Sequence, residues 1–449
     1  MVLQKPEILA PAGDFEKLQV AVNYGADAVY IGGKQFSLRA NTKNFNSDDL
    51  ARAIEYAHAR GVRVYVAANI FAHNKDLDGL EPYLQNLKDI GADAVIVADL
   101  GVFDVARRVP GLEIHISTQA NVTNFASANL YKQLGAKRVI LARELTYDEV
   151  RELNHHVADE NFQTEIFAHG AMCVSYSGRC LLSSYMTARD ANKGDCAQPC
   201  RWKYHLVEEQ RPGEYLPVIE NERGTYIMNS KDLCLVGCIP ELVNSGVASL
   251  KIEGRMKSAY YVAVTTSIYR EALDDYFADP EAYASKRDYY VNELQKTSHR
   301  DYFTGFFMPD AIANSDENCL GRGKNARLQA RSLATAQTDL SRNCYTIPQT
   351  YETNTYSSTY DFLGMVVDYD AETGFATIEQ RNKFSVGDEV EFLVSKAENF
   401  VQTITEMYNQ KGEEISSAPH AQEFTRVKVD IPLEKFDIMR KRNSLPLGQ

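Results

Sequence analysis

Six of the eight cysteines of this chain fall between positions 173 and 238, where their spacing could serve a metal site. The spacing is Cys-x6-Cys-x15-Cys-x3-Cys followed by a further pair, in the order Cys173, Cys180, Cys196, Cys200, Cys234 and Cys238. Structural zinc sites generally combine two closely spaced cysteine pairs, and among the first four cysteines only the third and fourth form one. Wide, unequal spacings of thiols alone are more typical of an iron–sulfur cluster. The spacing favours an iron–sulfur site and leaves open zinc or thiols that bind no metal.

Composition and charge indicate the compartment in which the protein works and limit the classes of partner that it can bind. The first residues, MVLQKPEILAPAGD, enter an apolar strand too soon for a signal peptide, and no apolar run reaches the ~18 residues of a membrane helix. The net charge of −13 argues against nonspecific coating of nucleic acid, although it allows a local basic groove. We therefore expect a cytoplasmic protein that has no membrane segment and no DNA partner.

A recurring sequence pattern predicts the strands and helices that must position these thiols. A glycine followed by a short β-branched run occurs at 25–33, 91–99, 135–143 and 246–254, with amphipathic helical stretches between the runs. Four further strand candidates are EILAPAG, VRVYVAAN, EIHISTQ and TEIFAHG. Eight parallel strands alternating with helices predict an α/β fold of the TIM-type (β/α)8 barrel class, with a doubly wound open sheet as the alternative.

The barrel is expected to occupy residues 1–308, with the cysteines in an insertion at about 172–240, after the seventh strand. Barrel active sites are built from loops at the carboxyl ends of the strands, so this insertion should lie at the catalytic face. Residues 309–358 turn polar, as in a linker. Short alternating strands with glycine and asparagine turns then predict a small C-terminal β-barrel over 359–449.

Polar residues at the ends of the predicted strands are the candidates for chemistry. They are Gln119 and Asn121 after the fifth strand, Arg143 and Glu144 after the sixth, Glu165 and His169 on the seventh, and Lys251, Glu253 and Arg255 on the eighth. His169 could move a proton near neutral pH, or it could be a hydrogen-bonded structural imidazole. The cations could bind a dicarboxylate, or they could pair with the neighbouring glutamates.

Three basic segments could contact RNA, which is recognised through stacked bases and local phosphate contacts. FSLRANTKNF at 36–45 interleaves Arg39 and Lys43 with phenylalanines, RWK follows Cys200, and RKR ends the small β-domain at 440–442. Each segment could equally be a solvated surface patch.

The stretch EIFAHGAMCVSYSGRCLLS, residues 165–183, resembles the signature of peptidase family U32, the collagenase-like proteases. The matching positions are Glu165, Phe167, Gly170, Ala171, Cys173, Gly178, Cys180 and Ser183. The segments RDANKGDCAQPCRWKY, NSKDLC, LKIEGRMKS and EILAPAGDFEKL are most similar to the branch that forms 5-hydroxyuridine in bacterial tRNA. The resemblance runs from residue 3 to about 307 and resumes at 360–440, and the intervening segment looks longer than the family pattern.

The resemblance implies an iron–sulfur enzyme for oxygen-independent hydroxylation. Its branches act on the wobble uridine of tRNA, on ribosomal RNA or on a quinone ring, and in the RNA branches the hydroxyl source is linked to prephenate. By motif, the ligands of a 4Fe-4S cluster would be Cys173, Cys180, Cys196 and Cys234, with Cys200 as a possible substitute. His169, Glu165, Arg143 and Lys251 are the expected catalytic residues, and Gln119, Asn121, Glu144, Glu253, Arg255 and Arg39 the expected substrate contacts. The implied partners are tRNA, prephenate and the iron–sulfur assembly machinery.

The family name raises the alternative of a peptidase, which needs an activated nucleophile or a metal-bound water. The sequence contains neither H-E-x-x-H nor G-x-S-x-G. A thiol protease using Cys173 with His169, four residues away, is the form that this alternative takes.

Overall fold

The fold is described by a computed structural model that covers residues 4–34, 36–37, 45–173, 175–177, 179–191, 195–202, 220–221, 224–225, 231–308 and 358–443. Of Arg201 and of residues 220–221 and 224–225 only the backbone is described. The predicted linker, 309–358, lies outside these residues apart from its last position.

Eight parallel strands close into a barrel, as predicted. They are β1 (Glu7–Pro11), β2 (Ala28–Gly32), β3 (Arg63–Ala67), β4 (Ala94–Val97), β5 (Glu113–Ile116), β6 (Arg138–Ile140), β7 (Gln163–Ala171) and β11 (Ser249–Ile252). Each pairs with the next in sequence order, and β11 pairs with both β7 and β1 to complete the ring. The open-sheet alternative is therefore wrong.

Most of the helices pack around the barrel with an apolar face buried, whereas the short helix at 182–187 buries only Ser183. The helices are α1 (Phe15–Asn23), α2 (Ser47–His58), α3 (Leu80–Asp89), α4 (Leu100–Ala106), α5 (Phe125–Gln133), α6 (Tyr147–Val157), α7 (Leu182–Thr187), α8 (Ile239–Asn244), α9 (Ala259–Ala278), α10 (Pro280–Ser285) and α11 (Arg287–Gln295). Asn46 and Thr146 show how the sequence begins such helices, since their side chains accept hydrogen bonds from backbone N–H groups in the first turn. No helix in the described ranges combines the length and hydropathy that crossing a membrane requires.

The chain between β7 and β11 carries short elements: α7, β8 (Glu220–Asn221), β9 (Gly224–Thr225), β10 (Asp232–Cys234) and α8. Strand β10 runs antiparallel to the end of β7 and pairs on its other side with β12 (Tyr302–Phe303). This extension ties the thiol-containing segment to the barrel wall, and the sequence pattern did not predict it.

The C-terminal domain is an antiparallel β-domain, as predicted, although its main sheet is an open half-barrel. Its strands are β13 (Tyr360–Asp370), β14 (Phe375–Gln380), β15 (Phe384–Ser385), β16 (Glu389–Leu393), β17 (Phe400–Thr403), β18 (Met407–Tyr408), β19 (Ser417–Ala418), β20 (Phe424–Lys428) and β21 (Ile438–Arg442). Seven of them form one sheet in the order β17-β16-β21-β13-β14-β20-β18, and β15 pairs with β19.

The two domains dock through buried polar contacts. Arg440 is fully buried and donates to Glu293 Oε2 and Glu391 Oε1, at 2.7 Å each, so it joins α11 of the barrel to β16. Tyr24 OH of the barrel donates to the carbonyls of Leu393 and Phe436. The basic triplet at 440–442 therefore begins with a structural arginine that is not available to RNA.

Candidate functional site

A cavity of about 580 Å³ opens at the carboxyl ends of the barrel strands. Residues at or just beyond the ends of β2, β3, β5, β6, β7 and β11 line it, together with the cysteine-rich segment. This is the position at which TIM barrels carry their active sites. The expected location of the thiols at this face is observed.

Thiols form one wall of the cavity. Cys173, Cys180, Cys196 and Cys200 all contribute to the lining. The backbone N–H of Gln198 donates to Cys196 Sγ at 3.3 Å, and hydrogen bonds to cysteine sulfurs are a feature of iron–sulfur sites. Four soft sulfur donors on one wall fit the chemistry of an iron–sulfur cluster.

Cys234, an expected cluster ligand, lies elsewhere. It is buried on β10 opposite His169 and is not among the described residues that line the cavity. Burial raises the pKa of its thiol to about 12, which disfavours the thiolate. In this conformation Cys200, rather than Cys234, shares a wall with the other three thiols.

The described thiols do not lie close enough together to form a complete set of metal ligands. Within the described ranges, no three side chains of His, Cys, Asp or Glu lie close enough together to hold an ion. The observed arrangement is thus a thiol-lined wall, whose donor chemistry fits a cluster.

The cavity lining also has a basic wall, which carries Lys251, and the Lys251 ammonium lies beside a buried carboxylate. Its Nζ lies 3.3 Å from Glu165 Oε1 and 4.4 Å from the centre of the Tyr30 ring. Glu165 is fully buried and also accepts from Arg138, which continues to Glu7 at 2.7 Å. Burial lowers the pKa of Lys251, and the Glu165 carboxylate opposes that shift. Glu165 therefore supports Lys251 from the barrel interior and does not itself line the cavity.

Arg143 and Arg255 complete this basic wall. Arg143 donates to the carbonyl of Ala171 at 3.0 Å and to Ser177 Oγ at 2.6 Å, so it also holds the start of the thiol segment. Arg255 is buried and donates to Ser37 Oγ at 3.1 Å. The alternative expectation was that these cations pair with the neighbouring glutamates. Each of the two arginines has at least one other partner.

The amides after β5 form a polar edge. Gln119 lines the cavity and its Oε1 accepts from Asn69 Nδ2 at 2.6 Å. Asn121 does not line it; its Nδ2 donates to the carbonyls of Gln119 and Ser177 and so links this edge to the thiol segment. Asn69 follows β3 in the way that Gln119 follows β5, so the same strand-end rule could have found it.

Of the remaining predicted substrate contacts, one lines the cavity, one does not, and one lies outside the described residues. Glu253 lines the cavity and its Oε2 accepts from Tyr30 OH at 3.1 Å. Glu144 is not among the lining residues, and burial raises the pKa of its carboxyl. Arg39 lies outside the described residues. Lys257 and Tyr261, which line the cavity, were missed because both lie beyond the strand, toward the start of α9.

His169 faces away from the cavity. Its ring lies among Tyr261, Tyr269 and Tyr302, with ring centres 5.2–5.9 Å apart. Neither ring nitrogen has a hydrogen-bond partner among the described residues, and burial lowers its pKa to about 3. The pairing of β7 with β11 shifts between Phe167 and His169, and this bulge reverses the side to which His169 points. The position supports neither proton transfer in the cavity nor a Cys173–His169 dyad.

Comparison with known proteins adds independent information. Residues 13–317 match the model of "Peptidase family U32", and residues 358–440 match that of the "Peptidase family U32 C-terminal domain".

Three relatives differ in what their names say. The "tRNA hydroxylation protein P1" of Bacillus subtilis is 40% identical over 98% of this chain and 96% of its own length. The "Uncharacterized protease MJ0090" of Methanocaldococcus jannaschii is 45% identical over 69% of this chain and 75% of its own. A "23S rRNA 5-hydroxycytidine" synthase of Escherichia coli is 35% identical over 70% of this chain and 48% of its own.

Proposed function

Because the chain belongs to peptidase family U32, we propose that it is an RNA hydroxylase, and more narrowly that it forms 5-hydroxyuridine at the wobble position of tRNA. A relative that matches along nearly the whole of both chains is named for tRNA hydroxylation, and a shorter match is named for hydroxylation of a ribosomal cytidine. The first name gives tRNA as the molecule that is hydroxylated, and the second gives a cytidine of ribosomal RNA.

The single observation that carries this proposal is the sign of charge in the cavity. Its described lining contains four basic side chains and one acidic one, although the whole chain has a net charge of −13. Those residues are Arg143, Lys251, Arg255 and Lys257 against Glu253. A basic cavity on an acidic protein attracts a polyanion locally and avoids nonspecific coating. RNA therefore suits this cavity better than an average peptide does.

The proposed cofactor is a 4Fe-4S cluster held by Cys173, Cys180 and Cys196, with Cys200 or Cys234 as the fourth ligand. When bound, such a cluster supplies electron transfer at a potential that the surrounding hydrogen bonds and burial set. Its formation would depend on the cell's iron–sulfur assembly machinery. The placement of Cys200 in the cavity lining favours it as the fourth ligand.

Iron and sulfide analysis of protein purified without oxygen tests the ligand set. Cys200→Ala should lose iron and Cys234→Ala should keep it. The opposite result would make Cys234 the fourth cluster ligand. It would also require the β10 segment to change its conformation when the cluster binds.

Prephenate is the proposed co-substrate, and the basic wall supports that choice. Arginine binds a carboxylate through two parallel hydrogen bonds, and Arg143 and Arg255 line the cavity together with Lys251. In this proposal the three cations bind and orient the two carboxylates, and Glu165 holds the Lys251 ammonium in place.

Nucleoside mass spectrometry of tRNA and ribosomal RNA from a deletion strain tests the function. Loss of 5-hydroxyuridine derivatives from tRNA, restored by the wild-type gene, is the expected result. Loss of a hydroxylated ribosomal cytidine would keep the reaction class and change the substrate. Unchanged RNA would contradict the proposal and direct attention to quinone hydroxylation or, through gelatin cleavage assays, to a peptidase.

A further inference from the structure

Helix α7 presents an unusually exposed apolar stripe beside the cavity. Tyr185 is 87% exposed and Leu181, immediately before the helix, is 71% exposed. The other side of the helix is anchored, because buried Ser183 accepts a hydrogen bond at 3.0 Å from the backbone N–H of Ala197. Internal packing therefore does not account for the outward stripe.

The stripe is continuous with the cavity. Leu182 contributes to the cavity lining, and Tyr185 lies three residues further on, on the same face of the helix. Leu181 lies four residues before Tyr185 and extends the same surface. A chain that leaves the cavity along this face would cross Tyr185 directly.

Other large side chains around the mouth are exposed as well. Tyr176 adjoins the lining residue Ser177, Trp202 follows Cys200 by two positions, and Met256 itself lines the cavity. Their exposed fractions are 48%, 40% and 55%. Single exposed apolar residues are normal on a protein surface, but a group of them around one basic cavity indicates a binding surface.

We propose that Tyr185 and Leu181 form a stacking platform for the unpaired bases next to the nucleotide that enters the cavity. This inference rests on the proposed RNA hydroxylase function and names the surface that receives the flanking single strand. Single-stranded RNA combines flat bases, which stack on aromatic rings, with phosphates, which basic side chains attract. The stripe supplies the first kind of contact and the cavity lining supplies the second.

Binding of a fluorescent RNA hairpin with an unpaired uridine in its loop, measured by anisotropy with the iron-loaded protein, tests the platform. Tyr185→Ala should weaken binding about 5- to 100-fold, the usual effect of losing one stacking contact. Tyr185→Phe should bind like wild type because it keeps the ring. The matched control is Phe277→Ala, at an exposed aromatic near Lys5 at the opposite end of the barrel.

The salt dependence of binding distinguishes stacking from charge. Tyr185→Ala should keep the wild-type slope of log K against log salt concentration, since it removes no cation. RNA affinity of Tyr185→Ala equal to that of wild type, with iron content and circular dichroism unchanged in both, would overturn the platform and leave the RNA hydroxylase proposal standing. Failure of the wild type itself to bind or modify RNA would overturn both. Loss of binding to a gelatin peptide, with RNA binding intact, would make the stripe a peptide surface.

Discussion

Lys251 and His169 show how burial gives two candidate residues different roles. Both are titratable and both lie near the carboxyl ends of barrel strands. Lys251 reaches the cavity and has the Glu165 carboxylate at 3.3 Å to keep its charge. His169 lies among three tyrosine rings with no hydrogen-bond partner among the described residues, so it is neutral above about pH 3. Only the lysine is placed to act on a ligand.

Lys251→Met should abolish most of the RNA hydroxylation and also destabilise the protein. Removing one partner of a buried ion pair typically costs about 3–5 kcal/mol, because the remaining charge is left in a poor solvent. Here Arg138 still pairs with Glu165, so we expect the lower end of that range. Urea denaturation gives the stability change, and nucleoside analysis at a temperature at which the variant is folded gives the activity. Wild-type activity in the folded variant would exclude Lys251 from the site.

His169→Phe should keep RNA hydroxylation close to the wild-type level, because a phenyl ring occupies the same aromatic surroundings and no proton passes through the imidazole. The pH dependence of the reaction should also stay the same. A deep loss of activity with normal stability, or a shift in the pH profile, would show that His169 takes part in the chemistry.

At the scale of elements, the end of β7 decides the geometry of the site. Its bulge turns His169 outward, and Gly170 follows with a φ of +113°. A Cβ at Gly170 would lie 2.6 Å from the carbonyl oxygen of Glu253, on the strand-end segment that supplies part of the cavity lining. The close approach of two backbones there requires glycine.

Gly170→Ala should therefore destabilise the protein by more than the about 1–2 kcal/mol of a left-handed residue alone. Gly135→Ala is the matched control, because Gly135 has a φ of +101° and a Cβ there would meet nothing within 4 Å. Comparing the urea midpoints of the two variants isolates the clash with Glu253. Equal midpoints would mean that the backbone near Glu253 yields easily.

The sequence predicted the barrel well because its signals are local. A glycine followed by a short β-branched run marks four of the eight strands, and the strand-end rule selected five residues that line the cavity: Arg143, Gln119, Lys251, Glu253 and Arg255. The same rule also selected His169, but the bulge in the pairing of β7 with β11 turns its ring away from the cavity. Spacing alone also could not decide whether Cys200 or Cys234 lies with the other thiols, because the position of Cys234 depends on the pairing of β10 with a strand distant in sequence.

At the scale of the whole molecule, the C-terminal domain is fixed to the barrel by charge. Arg440 bridges Glu293 of α11 and Glu391 of β16, and Lys296 Nζ lies 3.0 Å from the same Glu391. Arg381 adds an ion pair to Glu16 of α1 at 2.8 Å. These contacts hold the β-domain against the outer helices of the barrel.

Arg440→Met should weaken this docking. Calorimetry should show a lower unfolding temperature, with a loss of about 3–5 kcal/mol for breaking a buried charged network. Arg442→Met, at an exposed position on the same strand, should change little. A wild-type transition in Arg440→Met would mean that the domains dock mainly through apolar contacts.

Nucleoside mass spectrometry of tRNA is the most direct test of the thiol-lined cavity as the hydroxylation site. The tRNA comes from a deletion strain that expresses, at equal levels, variants in which one cysteine is replaced. Cys173 lines the cavity, whereas Cys238 is buried outside its described lining. We predict that Cys173→Ala fails to restore 5-hydroxyuridine derivatives and that Cys238→Ala restores them. Full restoration by Cys173→Ala would contradict a thiol-dependent reaction at this cavity.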